Sequence, residues 1–86
     1  MIWMARLQLV LRAMRLHPVE FPIQMAATAC LYNLIKGEIG QKIHPHRLKE
    51  VVQLTLTAME NFPNNLQLQK NTLLTLCSDR ILQVCR

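Results

Sequence analysis

The chain has 86 residues, 51% hydrophobic and 17% charged, with ten Lys/Arg against five Asp/Glu and a formal net charge of +5. That apolar fraction excludes disorder, the length allows one domain, and two glycines and four prolines are too few for the tight hairpins of a β-sandwich. No apolar run approaches the roughly 18 residues a membrane span needs.

In chain order, Trp3, Leu7, Val10, Leu11 and Met14 mark a first helix that also carries Arg6, Arg12 and Arg15 and no acid. Arginines spaced through the segment argue against a secretory signal. A mitochondrial transit peptide shares the Arg-containing amphipathic pattern, but this stretch lacks the serines such peptides usually carry. The stripe Ile23, Ala26, Ala27, Cys30, Leu31, Leu34 predicts a second helix, with Pro22 in its first turn and Gly37 as its stop. Leu48, Val51, Val52, Thr55, Leu56 and Met59 predict a third from about His46 to Asn61, ended by Pro63. Leu66, Leu73, Leu74 and Cys77 mark a fourth, with Leu68 and Leu76 off its stripe, so that this helix wants neighbours on two sides. Ser78-Asp79 reads as the cap of one more helix. The linkers, His17–Pro22, Gly37–Pro45 and Phe62–Asn65, are short and make neighbouring helices antiparallel.

At an offset of 45 residues the sequence matches itself. Leu9, Leu11, Ala13, Met14, Pro18, Gln24 and Leu31 fall on Leu54, Leu56, Ala58, Met59, Pro63, Gln69 and Leu76. That period lies in the range of armadillo and HEAT units, whose helix hairpins bury their outer faces only against the next unit. The expected fold class is all-α, armadillo/HEAT-like, with one unit over about 3–45 and a second, truncated unit over about 46–86. The expected hairpin core runs through Ala27, Leu31, Val52, Leu56, Leu73 and Leu74. About three units are normally needed for independent stability, so the expectation is a segment of a longer solenoid, marginally stable by itself.

No constellation for chemistry emerges. His44-Pro45-His46 is one histidine pair split by a stiff proline, without the second pair a zinc loop needs. Cys30 lies on the apolar stripe and reads as a small core hydrophobe rather than a nucleophile. With Cys77 and Cys85 the cysteines are odd in number and lack a C-x-x-C pair, which points to a reducing compartment. The carboxylates are scattered, and neither glycine belongs to a phosphate-binding loop. No catalytic, substrate-binding or metal residue and no cofactor is therefore assigned. The alternative function is a free-standing basic helical adaptor that uses Arg6, Arg12 and Arg15 against an acidic protein or nucleic acid, although no aromatics interleave with them.

The strings Gln24–Leu34 (QMAATACLYNL), Ala58–Pro63 (AMENFP) and Leu68–Gln83 (LQKNTLLTLCSDRILQ) closely resemble the Zyg-eleven homologue family, to which the ZER proteins also belong. The resemblance covers about Leu9 to Gln83. It implies kinship with substrate receptors of cullin-two RING ubiquitin ligases, non-catalytic proteins of the cytoplasm and/or nucleus. These carry a cullin/elongin-binding box, leucine-rich repeats and an armadillo-like solenoid that reads N-terminal glycine degrons. Their degron pocket lies around a Trp-Asn-Leu-Thr-Asp string, which does not occur here, so no binding residue carries over. The ending Val84-Cys85-Arg86 departs from the family, where an acidic residue and a further helix follow, and suggests a truncated or divergent copy.

Overall fold

Proline placement and side-chain caps divide the sequence into helices. The computed structural model describes the backbone of residues 2–84 and the side chains of residues 4–84. Among these are six helices and no strand: α1 Ile2–Leu16, α2 Phe21–Lys36, α3 Glu38–Lys42, α4 Pro45–Asn61, α5 Leu66–Leu76 and α6 Asp79–Val84. Pro22 and Pro45 sit in the first turns of α2 and α4, where a missing N–H costs nothing. Asn65 caps α5 by accepting the Leu68 N–H at 2.9 Å. The helix starting at Asp79 forms as expected. The Gly37–Pro45 linker, expected only as a short connection, contains the one-and-a-half-turn α3.

α1–α2 and α4–α5 are hairpins stacked one on the other, α2 against α5 and α1 against α4. This is an all-α, armadillo-like helical-repeat architecture. The 45-residue offset recurs in the helix boundaries, since α1 and α4 end at Leu16 and Asn61 while α2 and α5 begin at Phe21 and Leu66. It recurs in hydrogen bonding too. The Gln24 amide donates to the carbonyls of Met14 (3.1 Å) and His17 (2.9 Å), and the Gln69 amide to those of Met59 and Phe62 (both 3.1 Å). The helical partner of the Met14 and Met59 carbonyls would be the N–H four residues on, but those residues are Pro18 and Pro63. Each glutamine supplies the donor its proline lacks, and fixes the same turn between the same two helices.

The core contains Leu7, Leu11 and Met14 of α1, Ala27, Leu31 and Ile35 of α2, Leu48, Val51 and Ala58 of α4, Leu68 of α5, Ile81 of α6 and Ile43 from the loop before α4. Ala27 and Leu31 are thus buried as expected and Val52 half-buried, but Leu56, Leu73 and Leu74 are 45%, 50% and 40% exposed. The fourth helix shows the largest rotation: Leu66 and Cys77 are exposed, and Leu68, assigned off its stripe, is fully buried. The reason is that threonines occupy the inner face. Thr28, Thr55, Thr72 and Thr75 are all fully buried, and their hydroxyls donate to carbonyls of their own helix at 2.8–3.1 Å. A threonine satisfied by its own helix is tolerated in the interior, so counting apolar residues alone rotates the predicted face. Cys30 is exposed rather than a core residue, because α2 turns Ala27 and Leu31 inward and leaves Ala26 and Cys30 outside. The side chain of Trp3 and all of Cys85 lie outside the described residues.

α3 closes the end of α2. A Cβ on Gly40 would run into the carbonyl oxygen of Ile35, so only glycine allows this approach. From α6, Arg80 reaches across with Nε to the Gly40 carbonyl (3.0 Å) and Nη2 to the Ile43 carbonyl (2.8 Å), satisfying backbone acceptors around the end of α3. Gly37 follows the last residue of α2, as expected of a helix stop, but with φ −90° it does so in extended rather than left-handed backbone.

Candidate docking surface

Each hairpin presents two apolar faces, and stacking covers one face of each. Residues identical at the 45-residue offset show which. Leu11 is 1% exposed and lines the crevice between α1 and α4, whereas its counterpart Leu56 is 45% exposed. The reverse holds for the opposite face, where Leu9 is 65% exposed and its counterpart Leu54 packs against the core. The same side chains in the same helical positions differ because one unit has a neighbour there and the other does not.

The two uncovered faces are therefore defined residue by residue. On the first hairpin, Leu9, Val10, Ala13, Ala26 and Cys30 line a shallow apolar groove between α1 and α2, with Arg6 at its edge. Counterparts across this groove, Val51, Thr55, Ala58 and Thr75, are buried in the second hairpin. On the second hairpin the open face carries Leu56 and Leu73, counterparts of the buried Leu11 and Thr28, whereas Leu74 lines the cleft toward Tyr32 and Ile35 of α2.

Apart from Cys30 in the groove and Arg6 at its edge, the residues considered for chemistry lie outside these faces. His44 precedes α4 and its Nδ1 accepts the His46 N–H at 3.0 Å, so the His-Pro-His string is a helix cap. Among the described residues no group of three His, Cys, Asp or Glu is placed to share a metal ion, and no helix is long and apolar enough to cross a membrane. Arg6, Arg12 and Arg15 are all exposed on α1. Arg15 bonds Glu50 of α4 at 2.6 Å, and Glu50 also receives Arg47 at 3.1 Å. This divides the arginine set, because Arg15 is engaged in holding the hairpins together while Arg6 borders the apolar groove.

A family model described as protein zer-1 homolog-like, C-terminal domain, matches residues 12–86. The chain belongs to the zer-1 homolog-like family. The proteins named protein zer-1 homolog of Homo sapiens, Pongo abelii and Mus musculus are each 31% identical to it over 72 residues. That stretch is 84% of this chain and 9% of each relative, so the chain spans about a tenth of the relatives it matches. No solved structure matches it. The family match includes both glutamine-bridged turns, the Leu56/Leu73 face and Ala13, Ala26 and Cys30 of the groove in the zer-1 homolog-like segment, while Arg6, Leu9 and Val10 precede it. Sequence reasoning found the leucines of these faces but assigned Leu56 and Leu73 to the interior. The signal that distinguishes them is the buried counterpart 45 residues earlier.

Proposed function

We propose that this chain is a non-catalytic, armadillo-like packing segment of the kind found in the substrate-receptor subunit of a cullin-two RING ubiquitin ligase. It works in the cytoplasm and/or nucleus, with one unit over residues 3–45 and the second over 46–86. Such a receptor acts by proximity, holding a substrate near the charged conjugating enzyme while other subunits perform the chemistry. The observation that supports the reading is the pair of open apolar faces on a family member that spans only 9% of its relatives. A segment with uncovered leucines on both sides is suited to packing within an array rather than to presenting a polar reaction centre. On this reading cullin, elongin and glycine-degron contacts belong to regions of the receptor other than these residues.

The test is affinity capture from cell extract with the 86-residue chain as bait, beside binding to synthetic peptides bearing an N-terminal glycine. Neither ligase subunits nor glycine peptides are expected to bind. Saturable capture of a glycine peptide would overturn the placement of the pocket outside this segment. The basic-adaptor alternative predicts binding that falls steeply with salt and is abolished when Arg6, Arg12 and Arg15 become Gln. The Arg15–Glu50 bond weighs against it by engaging one of the three charges.

A further inference from the structure

We infer that this chain associates head to tail with a second copy of itself, the α1–α2 groove of one copy seating on the Leu56/Leu73 face of the other. The occupant follows from the internal interface. Within one chain, the second hairpin presents Val51, Leu54, Ala58, Thr72 and Thr75 toward the first, which supplies Leu11 and Thr28 among its buried residues. The first hairpin carries, at the same positions in the 45-residue register, Arg6, Leu9, Ala13, Ala27 and Cys30, of which Ala27 is buried within the hairpin itself. Both hairpins have the same turn length and the same glutamine bridge, so they hold their helices alike. The groove of a second copy therefore offers the Leu56/Leu73 face an apolar surface that shares Leu9 and Ala13 with the one the second hairpin offers the first. Ala13 matches Ala58, Leu9 matches Leu54, and Cys30 stands for Thr75 with no hydroxyl to desolvate. On the receiving face Leu73 replaces Thr28, which adds apolar area. Three features oppose docking: Arg6 stands in place of the fully buried Val51, Lys70 stands in place of Met25, which Asn71 reaches across the internal interface, and the Arg15–Glu50 pair has no counterpart because its positions become Glu60 and Ala5.

The contact is heterologous: each copy uses one face and leaves the other free, so association does not stop at a dimer unless a ring closes. Sedimentation of the full chain from micromolar to millimolar concentration tests this. The mass should rise above the 10.0 kDa monomer and continue past two copies. A head variant, Leu9→Lys with Ala26→Lys, and a tail variant, Leu56→Lys with Leu73→Lys, change exposed helix positions, and circular dichroism verifies that each remains folded. Each should raise the midpoint concentration at least tenfold, since a leucine lost from a buried contact and a charge in its place both oppose association. An equimolar mixture of the two variants should form a one-to-one pair and nothing larger, because it contains one intact head and one intact tail. Arg6→Val should lower the midpoint severalfold. A monomer at all concentrations, association insensitive to either variant, or failure of the mixture to pair would each overturn the proposal.

Discussion

Replacing Gln24 by Met tests whether the proline turn depends on a borrowed donor. Gln24 is 2% exposed and spends both amide hydrogens on the carbonyls of Met14 and His17. Methionine keeps the length and most of the volume, so the change removes hydrogen bonds rather than opening a cavity. Two net hydrogen bonds are worth about 1 kcal/mol each, and stranding the buried Met14 carbonyl adds about 1 kcal/mol or more, for a total of about 2–4 kcal/mol. For a domain of this size that corresponds to a fall in melting temperature on the order of 10–20 °C. The equivalent Gln69→Met should cost less, about 1–2 kcal/mol, because Gln69 is only half-buried and water can reach its carbonyls. The assay is urea unfolding followed by circular dichroism, with the denaturant slope compared between variants. Adding Pro18→Ala to Gln24→Met returns a backbone N–H beside the Met14 carbonyl and should recover part of the loss. If Gln24→Met is as stable as the parent, or costs no more than Gln69→Met, the turn does not depend on a donor borrowed in place of the missing proline N–H.

Three further outcomes are expected. Gly40→Ala should destabilise by about 2 kcal/mol or more, because the added methyl meets the rigid Ile35 backbone and α3 must move; equilibrium unfolding measures it, with Gly37→Ala, where nothing lies near, as the nearly neutral control. Arg80→Met should cost about 1.5–3 kcal/mol through its two charge-assisted bonds to the Gly40 and Ile43 carbonyls. It should also speed amide exchange in α3 and α6 more than in α2. The parent chain at low micromolar concentration should melt broadly and at modest temperature; a sharp, two-state melt of the monomer at high temperature would contradict the marginal core.

The four main helices and their hairpin order were legible because long amphipathic periods and prolines dominate local structure, and the family resemblance was legible from three strings. The inner face of each helix was less so. Hydropathy ranks Leu73 above Thr72, yet Thr72 is buried with its hydroxyl bonded to the Leu68 and Gln69 carbonyls, while Leu73 points outward. That inversion requires knowing that the threonine finds its partner within its own turn. α3 escaped notice because five residues are too few to show a period, and its placement depends on a tertiary bond from Arg80, 40 residues away. Cys30 and Ala26 were misassigned for a related reason: they belong to an apolar stripe wide enough for two contacts, and only one of those contacts exists within the chain.

The exposed leucines and the small aliphatic core have a common origin. A closed domain directs its apolar residues toward one centre, and exposure of a large one is then a local matter. Here the pattern repeats every 45 residues, so each leucine encodes a contact with the neighbouring unit rather than with a centre. Leu11 makes that contact and Leu56 does not, although their helices carry them at the same position. Stability in such a chain scales with the number of unit interfaces, and two hairpins form one. The 51% hydrophobic composition therefore describes the demand for neighbours more than the size of the core, and the uncovered faces of α1–α2 and α4–α5 are where that demand is unmet.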